Sequence, residues 1–148
     1  MKISTKGRYG TRALLDVALR QNEGLVQLKD IAESQQISLH YLERIVALLV
    51  KKGFLTSTRG PAGGVALGRH PADIKISEVI SVLEGSMAPV SCVDDPSTCS
   101  RAGFCATCDL WGEVKESMEG VLEAVTLQDL VERQQKKLES QPRINTHE

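Results

Sequence analysis

Aromatic side chains are almost missing from this chain: one Trp, two Tyr and two Phe make up 3% of its 148 residues. Trp111, Tyr9, Tyr41, Phe54 and Phe104 therefore leave most of the core to Leu, Val, Ile and Ala, and so modest an aliphatic core suggests completion by a second subunit. Long apolar runs are lacking as well. The longest, Ile45 to Val50, falls far short of the roughly 20 residues a membrane-spanning helix needs, so no membrane role is expected. The basic opening Met1–Lys6 is followed by Arg8 and Arg12 before any apolar stretch can form, so no export signal is read there and a cytoplasmic location is expected. There is no Ser/His/Asp set, no phosphate-cradling glycine loop before a helix, and no carboxylate pair in a catalytic frame. His40, His70 and His147 have no partner at ligand spacing. An enzyme is not expected. Internal repeats and low-complexity tracts are absent too.

Excess charge of one sign is missing only on average. The net charge is −1, yet residues 1–70 hold eleven Lys/Arg against five Asp/Glu, and residues 71–148 hold seven against fourteen. A basic head on an acidic body suits a polyanion-binding unit carried by a sensing or assembly unit.

What the chain does have is concentrated sulfur. Its four cysteines, Cys92, Cys99, Cys105 and Cys108, fall within seventeen residues at gaps of six, five and two. The stretch around them is rich in Gly, Ser, Pro and Asp and shows no helical or strand period. Thiolates on a pliable loop can converge on iron or zinc, since a soft metal needs several sulfur ligands at once. In a reducing compartment such a cluster holds metal or does redox work more often than it forms structural disulfides. Structural zinc and a metal-free thiol switch both fit these residues. A thioredoxin-like use of Cys105-Ala106-Thr107-Cys108 lacks the βαβ unit that chemistry expects.

The rest reads as helices with one hairpin. Ser4 or Thr5 can cap a first helix running to about Gln21, with Tyr9, Ala13, Leu14, Val17 and Ala18 on one face. A short helix, Leu28 to Ser34, a turn at Gln35-Gln36-Ile37, and a helix capped by Ser38 and ending before Gly53 form a helix-turn-helix. The third helix carries Leu39, Leu42, Ile45, Val46, Leu49 and Val50 on an inward stripe. Two short strands, Phe54–Thr58 and Val65–Leu67, flank the tip Arg59-Gly60-Pro61-Ala62-Gly63-Gly64, which makes a wing. Ile76 to Glu84 is a further helix ended by Gly85. Leu110, Val114, Met118, Val121, Leu122 and Val125 follow a helical stripe, and Thr126 with Asp129 can box the start of a last helix, Leu127 to about Leu138. The expected fold is mainly α: a winged helix-turn-helix with a two-stranded wing and a long C-terminal dimerisation helix. Its expected divisions are a DNA-binding domain at 1–85, a cysteine-rich loop at 86–109, the dimerisation and C-terminal helices at 110–140 and a flexible tail at 141–148.

In a winged helix the third helix enters the major groove with its N-terminal side chains at base edges. Ser38, His40, Tyr41, Glu43 and Arg44 occupy that position here. Arg44 can fork onto guanine, and Glu43 can accept from cytosine while repelling phosphate. Arg59 at the wing tip suits a narrow minor groove, with Gly60 allowing close backbone approach. Lys2, Lys6, Arg8 and Arg12 are candidate phosphate clamps.

Met1-Lys2-Ile3-Ser4-Thr5-Lys6-Gly7-Arg8-Tyr9, Ile37-Ser38-Leu39-His40-Tyr41-Leu42-Glu43, the wing tip, Glu78–Glu84 and the cysteine loop followed by Leu110-Trp111 together resemble the IscR/NsrR/CymR family of bacterial transcription regulators. The likeness spans about residues 1–138 and is strongest to the family's iron–sulfur cluster regulator, IscR. It implies a homodimer built on the long helix after the cysteine loop, an iron–sulfur cluster near that interface, and binding to a roughly palindromic operator in double-stranded DNA that depends on cluster occupancy. The implied ligands fall on Cys92, Cys99 and Cys105. The place of the family's histidine ligand is taken by Cys108, and the first gap is one residue longer than in the IscR pattern. A 2Fe–2S centre is implied, at a lowered potential because thiolate replaces imidazole, although four thiolates equally suit 4Fe–4S. The function implied is a repressor or activator sensing cluster status, redox state or nitric oxide. The alternative is a zinc-stapled or metal-free regulator resembling the CymR branch and working with a metabolic-enzyme partner.

Overall fold

Ser4 starts the first helix, its hydroxyl accepting the Gly7 amide to begin α1, Thr5–Leu19, in a computed structural model that describes residues 2–142. Met1 and residues 143–148, which include His147 and most of the expected tail, lie outside the described residues. Helix α1 buries Ala13, Leu14, Val17 and Ala18 and ends slightly before Gln21, where a 3-10 turn at Gln21–Glu23 leads to Gly24 at φ +80°. Helix α2, Leu28–Gln35, stops at Gln36, whose φ of 55° is left-handed. Ser38 then accepts the Tyr41 amide and starts α3, Leu39–Lys51.

Helix α3 turns Leu42, Ile45, Val46 and Leu49 into the core, but Leu39 remains 43% exposed. The apolar period had placed Leu39 inward. As the first residue of α3 it precedes the turn that reaches the core, so its side chain stays with those of Ser38 and His40 on the outer end.

The wing forms as strands β1, Leu55–Thr58, and β2, Gly64–Leu67, paired antiparallel in the register Leu55↔Leu67 through Thr58↔Gly64. A feature without local signal extends it: Val26 bridges Val65 through two backbone hydrogen bonds of 2.9 and 2.8 Å. A side chain at Gly64 would place its Cβ 2.5 Å from the Val26 carbonyl oxygen, so only glycine permits this approach.

Helix α4, Ile76–Glu84, packs Ile76, Val79, Ile80 and Leu83 on the same core and ends at Gly85, φ +74°. Between residues 85 and 126 no side chain is buried. The expected irregular loop to Asp109 is here partly ordered into α5, Ser91–Asp94, and 3-10 turns at Pro96–Thr98 and Ala102–Phe104. Helix α6, Ala106–Glu123, begins earlier than expected and takes Cys108 into its first turn. Cys105 supplies the extended N-cap backbone and is not one of the residue types that announce a helix start. Asp109 in the first turn favours it electrostatically.

The chain returns to the body at helix α7, Leu127–Glu139, whose Thr126–Asp129 capping box is present. Leu127 and Val131 are buried, each such burial contributing roughly 1.5–3 kcal/mol. Backbone bonds from the Leu127 amide to the Ile74 carbonyl (2.8 Å) and from the Ile76 amide to the Val125 carbonyl (2.9 Å) fix the junction. Helix α6 is tethered more lightly. Glu123 accepts from Ser77 at 2.6 Å and pairs with Lys75, and Lys115 donates to Asp94 at 2.8 Å. Among the described residues no helix is long and apolar enough to cross a membrane.

Candidate nucleic-acid interface and cysteine segment

Capping and packing decide which side chains of α3 are free. The Ser38 hydroxyl accepts the Tyr41 amide at 3.3 Å, so its oxygen is partly engaged while its proton remains available. Tyr41 is half-buried and meets Tyr9 of α1 edge-on, with centroids 6.1 Å apart at 80°, an attractive arrangement for aromatic rings. Its hydroxyl lies 3.4 Å from that of Thr5. His40, Glu43 and Arg44 are exposed. Lys6 and Arg44 border the same shallow hollow of about 280 Å³, together with Tyr41, Ile45 and Leu48. A residue expected on phosphate and one expected at base edges thus share one surface.

The wing tip carries Arg59 and Gly60, both exposed, and closes through a bond from the Gly63 amide to the Gly60 carbonyl at 2.9 Å. Among the described residues Lys2, Lys6, Arg8, Arg44 and Arg59 form no ion pair, whereas Arg20, Arg69, Lys75 and Lys115 do. Unpaired cations remain free to replace the counterions of a polyanion. Arg8 stands over the Tyr9 ring at 5.7 Å. Lys2 lies apart, beside the junction of α4 and α6.

Arg12, expected on phosphate, has an internal task as well. It donates to the Gln35 carbonyl at 2.6 Å and to the Gln35 side-chain oxygen at 3.1 Å, so it holds the left-handed turn between α2 and α3. Leu39 was not expected beside the candidate DNA-contacting residues, yet it is exposed among them. Its exposed apolar side chain at the tip of α3 has the chemistry to meet a thymine methyl group.

The cysteines lie on different elements. Cys92 is in α5, Cys99 follows a 3-10 turn, Cys105 precedes α6 and Cys108 is in its first turn. All four thiols are free. Cys92 and Cys108 border the same hollow, and interaction with the Cys92 thiol, with shielding from water and the neighbouring Cys92, Cys105 and Asp109 charges, pushes the Cys108 thiol up to about 11. Cys105 moves the other way. Hydrogen bonds from the Thr107 hydroxyl (3.0 Å) and from the Cys108 and Thr107 amides favour its thiolate. Cys99 is exposed and takes no part in these contacts. Among the described residues no three His, Cys, Asp or Glu side chains converge in an arrangement able to hold a metal ion. Two sulfurs thus border one hollow, and a third is primed as thiolate. Chemically the set suits a thiophilic metal: four soft donors, one already biased to thiolate, in a segment without a buried side chain.

Residues 3–133 match the Rrf2 family, described as an iron-dependent transcriptional regulator. The protein named rrf2 from Nitratidesulfovibrio vulgaris is 43% identical over 131 residues, covering 88% of this chain and 87% of that one. The solved structure of IscR from T. potens superposes with a TM-score of 0.78 at 40% identity, covering 96% of this chain and 94% of that one. The structure of CymR, described as the global cysteine regulator of B. subtilis, superposes with a TM-score of 0.75 at 38% identity, covering 90% and 98%. None of these likenesses supports the expected metabolic-enzyme partner.

Proposed function

The chain belongs to the Rrf2 family of transcriptional regulators and is IscR-like, and from that premise we propose that it binds operator DNA as a homodimer and senses its signal through an iron–sulfur cluster held by its cysteines. One observation carries the reading. All four cysteines lie in the long stretch, residues 85–126, that contains no buried side chain, set between two parts of the chain that pack into the core. A segment with so few core contacts has low local stability, so a ligand that binds its ordered form shifts the conformation by its own binding free energy.

Cys92, Cys99 and Cys105 would hold the cluster, with Cys108 in the place of the family's histidine. The cluster, when bound, supplies a link between these sulfurs that responds to redox state and nitric oxide. The chain's own residues do the rest. Cys105 offers a thiolate, Cys108 must give up its proton, and the Lys115–Asp94 pair keeps α5 against α6. His40, Glu43 and Arg44 face the major groove, Arg59 the minor groove, and Lys2, Lys6 and Arg8 the phosphates.

A second copy of the chain would cover the exposed Leu110 and Val121 of α6 and present two α3 helices to half-sites about one helical turn, roughly 34 Å, apart. In this reading residues 1–85 form the reading unit, 86–109 the sensing segment and 110–140 the assembly unit.

Iron and acid-labile sulfide assays on protein purified without air test the proposal. Both should be present, with visible absorption that disappears when Cys92, Cys99 or Cys105 is changed to Ala. A variant that kept the chromophore would remove that residue from the ligand set. The hollow shared by Cys92 and Cys108 and the likeness to CymR favour a second reading, a zinc-stapled or metal-free thiol switch. Zinc without sulfide, or colourless protein that resists reconstitution, would establish it instead.

A further inference from the structure

Glu84 is the last residue of α4, where a carboxylate meets the negative end of its own helix and is unfavourable. Its side chain reaches a helix end of the opposite sign. One carboxylate oxygen accepts the Ser4 amide at 3.0 Å, the Gly7 amide at 3.0 Å and the Ser4 hydroxyl. The local cap is the weaker one, since the same Gly7 amide is 3.4 Å from the Ser4 hydroxyl. The start of α1 is thus capped chiefly from α4. A Cβ on Gly7 would lie 2.2 Å from that carboxylate oxygen, so glycine at position 7 leaves the seat open.

Both ends of this contact lead to the functional surfaces. On one side the first turn of α1 carries Lys6 and Arg8, follows Lys2, and places Tyr9 against Tyr41 of α3. On the other side Gly85 turns at once into Ser86, whose hydroxyl donates to Asp94, two residues after Cys92, and Asp94 also accepts from Lys115 at 2.8 Å. Lys2, Ile3, Glu84, Ser86, Met87 and Met118 border one cavity of about 180 Å³, so the N-terminal segment, α4, the start of the cysteine segment and α6 meet there.

We propose that Glu84 is a positioning residue for DNA binding, the carboxylate through which the cysteine segment sets the first turn of α1 and, through Tyr9 and Tyr41, the recognition helix. The proposal rests on the DNA-reading role given above to Lys2, Lys6, Arg8 and α3. Charge-assisted bonds to backbone amides are roughly twice as strong as neutral ones, and Glu84, an anion held against the backbone of Ser4 and Gly7, cannot itself neutralise a phosphate. Its loss should therefore displace contacts without removing any phosphate neutralisation.

The test uses the full chain with a palindromic duplex selected by the wild-type protein, together with amide hydrogen exchange. Glu84→Gln keeps the shape and removes the charge. Gly7→Ala fills the seat while raising helix propensity, so it carries the test should Glu84→Gln fail to fold. Each should speed exchange at the amide of residue 7, relative to the intrinsic rate of the residue there, and weaken duplex binding about tenfold, with the slope of affinity against salt unchanged because no phosphate contact is lost. Ser86→Ala, which cuts the bond to Asp94 without touching α1, should move Gly7 exchange in the same direction.

Wild-type affinity in both α1-directed variants would overturn the proposal, and so would a reduced salt slope, which would make Glu84's effect one on direct phosphate contact. Unchanged Gly7 exchange in Ser86→Ala would overturn the link to the cysteine segment. If the wild type selected no duplex at all, the DNA-reading role itself would fail, a result distinct from wild-type binding with unaffected variants.

Discussion

Cys105 and Cys108 stand three residues apart and should differ sharply in reactivity. The Cys105 thiol lies below its ordinary 9.0 because the Thr107 hydroxyl and the Cys108 and Thr107 amides stabilise the thiolate. The Cys108 thiol is pushed up to about 11, first by its interaction with the Cys92 thiol. At pH 7 a thiol at about 11 is ionised in about one molecule in ten thousand, against about one in a hundred at 9.0. Cys105 therefore holds at least a roughly hundredfold advantage in thiolate population. Basicity works the other way: with a Brønsted coefficient of about 0.5, two units make the rarer thiolate about tenfold more nucleophilic. Both thiols are half-buried, so access does not reverse the order. The net expectation is that Cys105 reacts about tenfold faster or more.

Sub-stoichiometric iodoacetamide on reduced, metal-free full-length protein, read by peptide mass spectrometry, measures this ratio. Raising the pH from about 7 to 10 should bring the two rates together as Cys108 ionises and the Cys105 population saturates. Cys92→Ala removes the largest cause of the Cys108 shift and should speed Cys108 alone. Equal rates at neutral pH, or a faster Cys108, would refute the reasoning and with it the idea that Cys105 is the sulfur primed for metal.

Two further expectations concern the scaffold and the wing. Asp16 is a buried carboxylate, 6% exposed, that joins α1 to α2 by accepting from Arg20 at 2.8 Å and from the Ser34 hydroxyl at 2.5 Å. Asp16→Ala should cost about 2–3 kcal/mol and lower the melting temperature by roughly 5–10 °C, with Ser34→Ala costing about 1 kcal/mol; a loss under about 0.5 kcal/mol for Asp16→Ala in urea titration would contradict the account. Arg59→Ala should weaken binding chiefly at operators whose flanks are A·T-rich and narrow in the minor groove, and equal loss across all flanking sequences in a gel-shift series would count against the wing's part in reading shape.

Elements whose ends depend on nearby residues were legible from sequence. Ser4, Ser38, Gly85 and the Thr126–Asp129 box each act within a few positions of their helix, and each stands where it was expected. Contacts between distant residues were not. Val26 meets Val65 across thirty-eight intervening residues, and nothing near Val26 in the chain announces a strand. Arg12 looked like a phosphate clamp because it is a cation on α1; the turn at Gln36 then presents the Gln35 carbonyl to it. Leu39 fits the apolar period of α3, which describes faces and is silent on how far along the helix the core begins. The cysteine spacing marked the segment as unusual, but the start of α6 at Ala106 follows Cys105, which is not a residue type that announces an N-cap, and could not be read.

The uneven charge of the chain gains a physical sense from this arrangement. Helix α6 carries Asp109, Glu113, Glu116, Glu119 and Glu123 at helical intervals, and α5 adds Asp94. The cations expected to meet DNA lie elsewhere, on α1, on α3 and at the wing tip. A duplex approaching the molecule meets repulsion from the half that carries the cysteines and attraction from the half that carries Lys6, Arg8, Arg44 and Arg59. If the cysteines hold the proposed cluster, the acidic stripe sets that site away from the nucleic acid without a wall of buried side chains. Between the halves run the apolar contacts of Met87, Leu122 and Val125 with the core and a few polar ones, and in the proposal above the Glu84 carboxylate leads from the end of α4 to the first turn of α1.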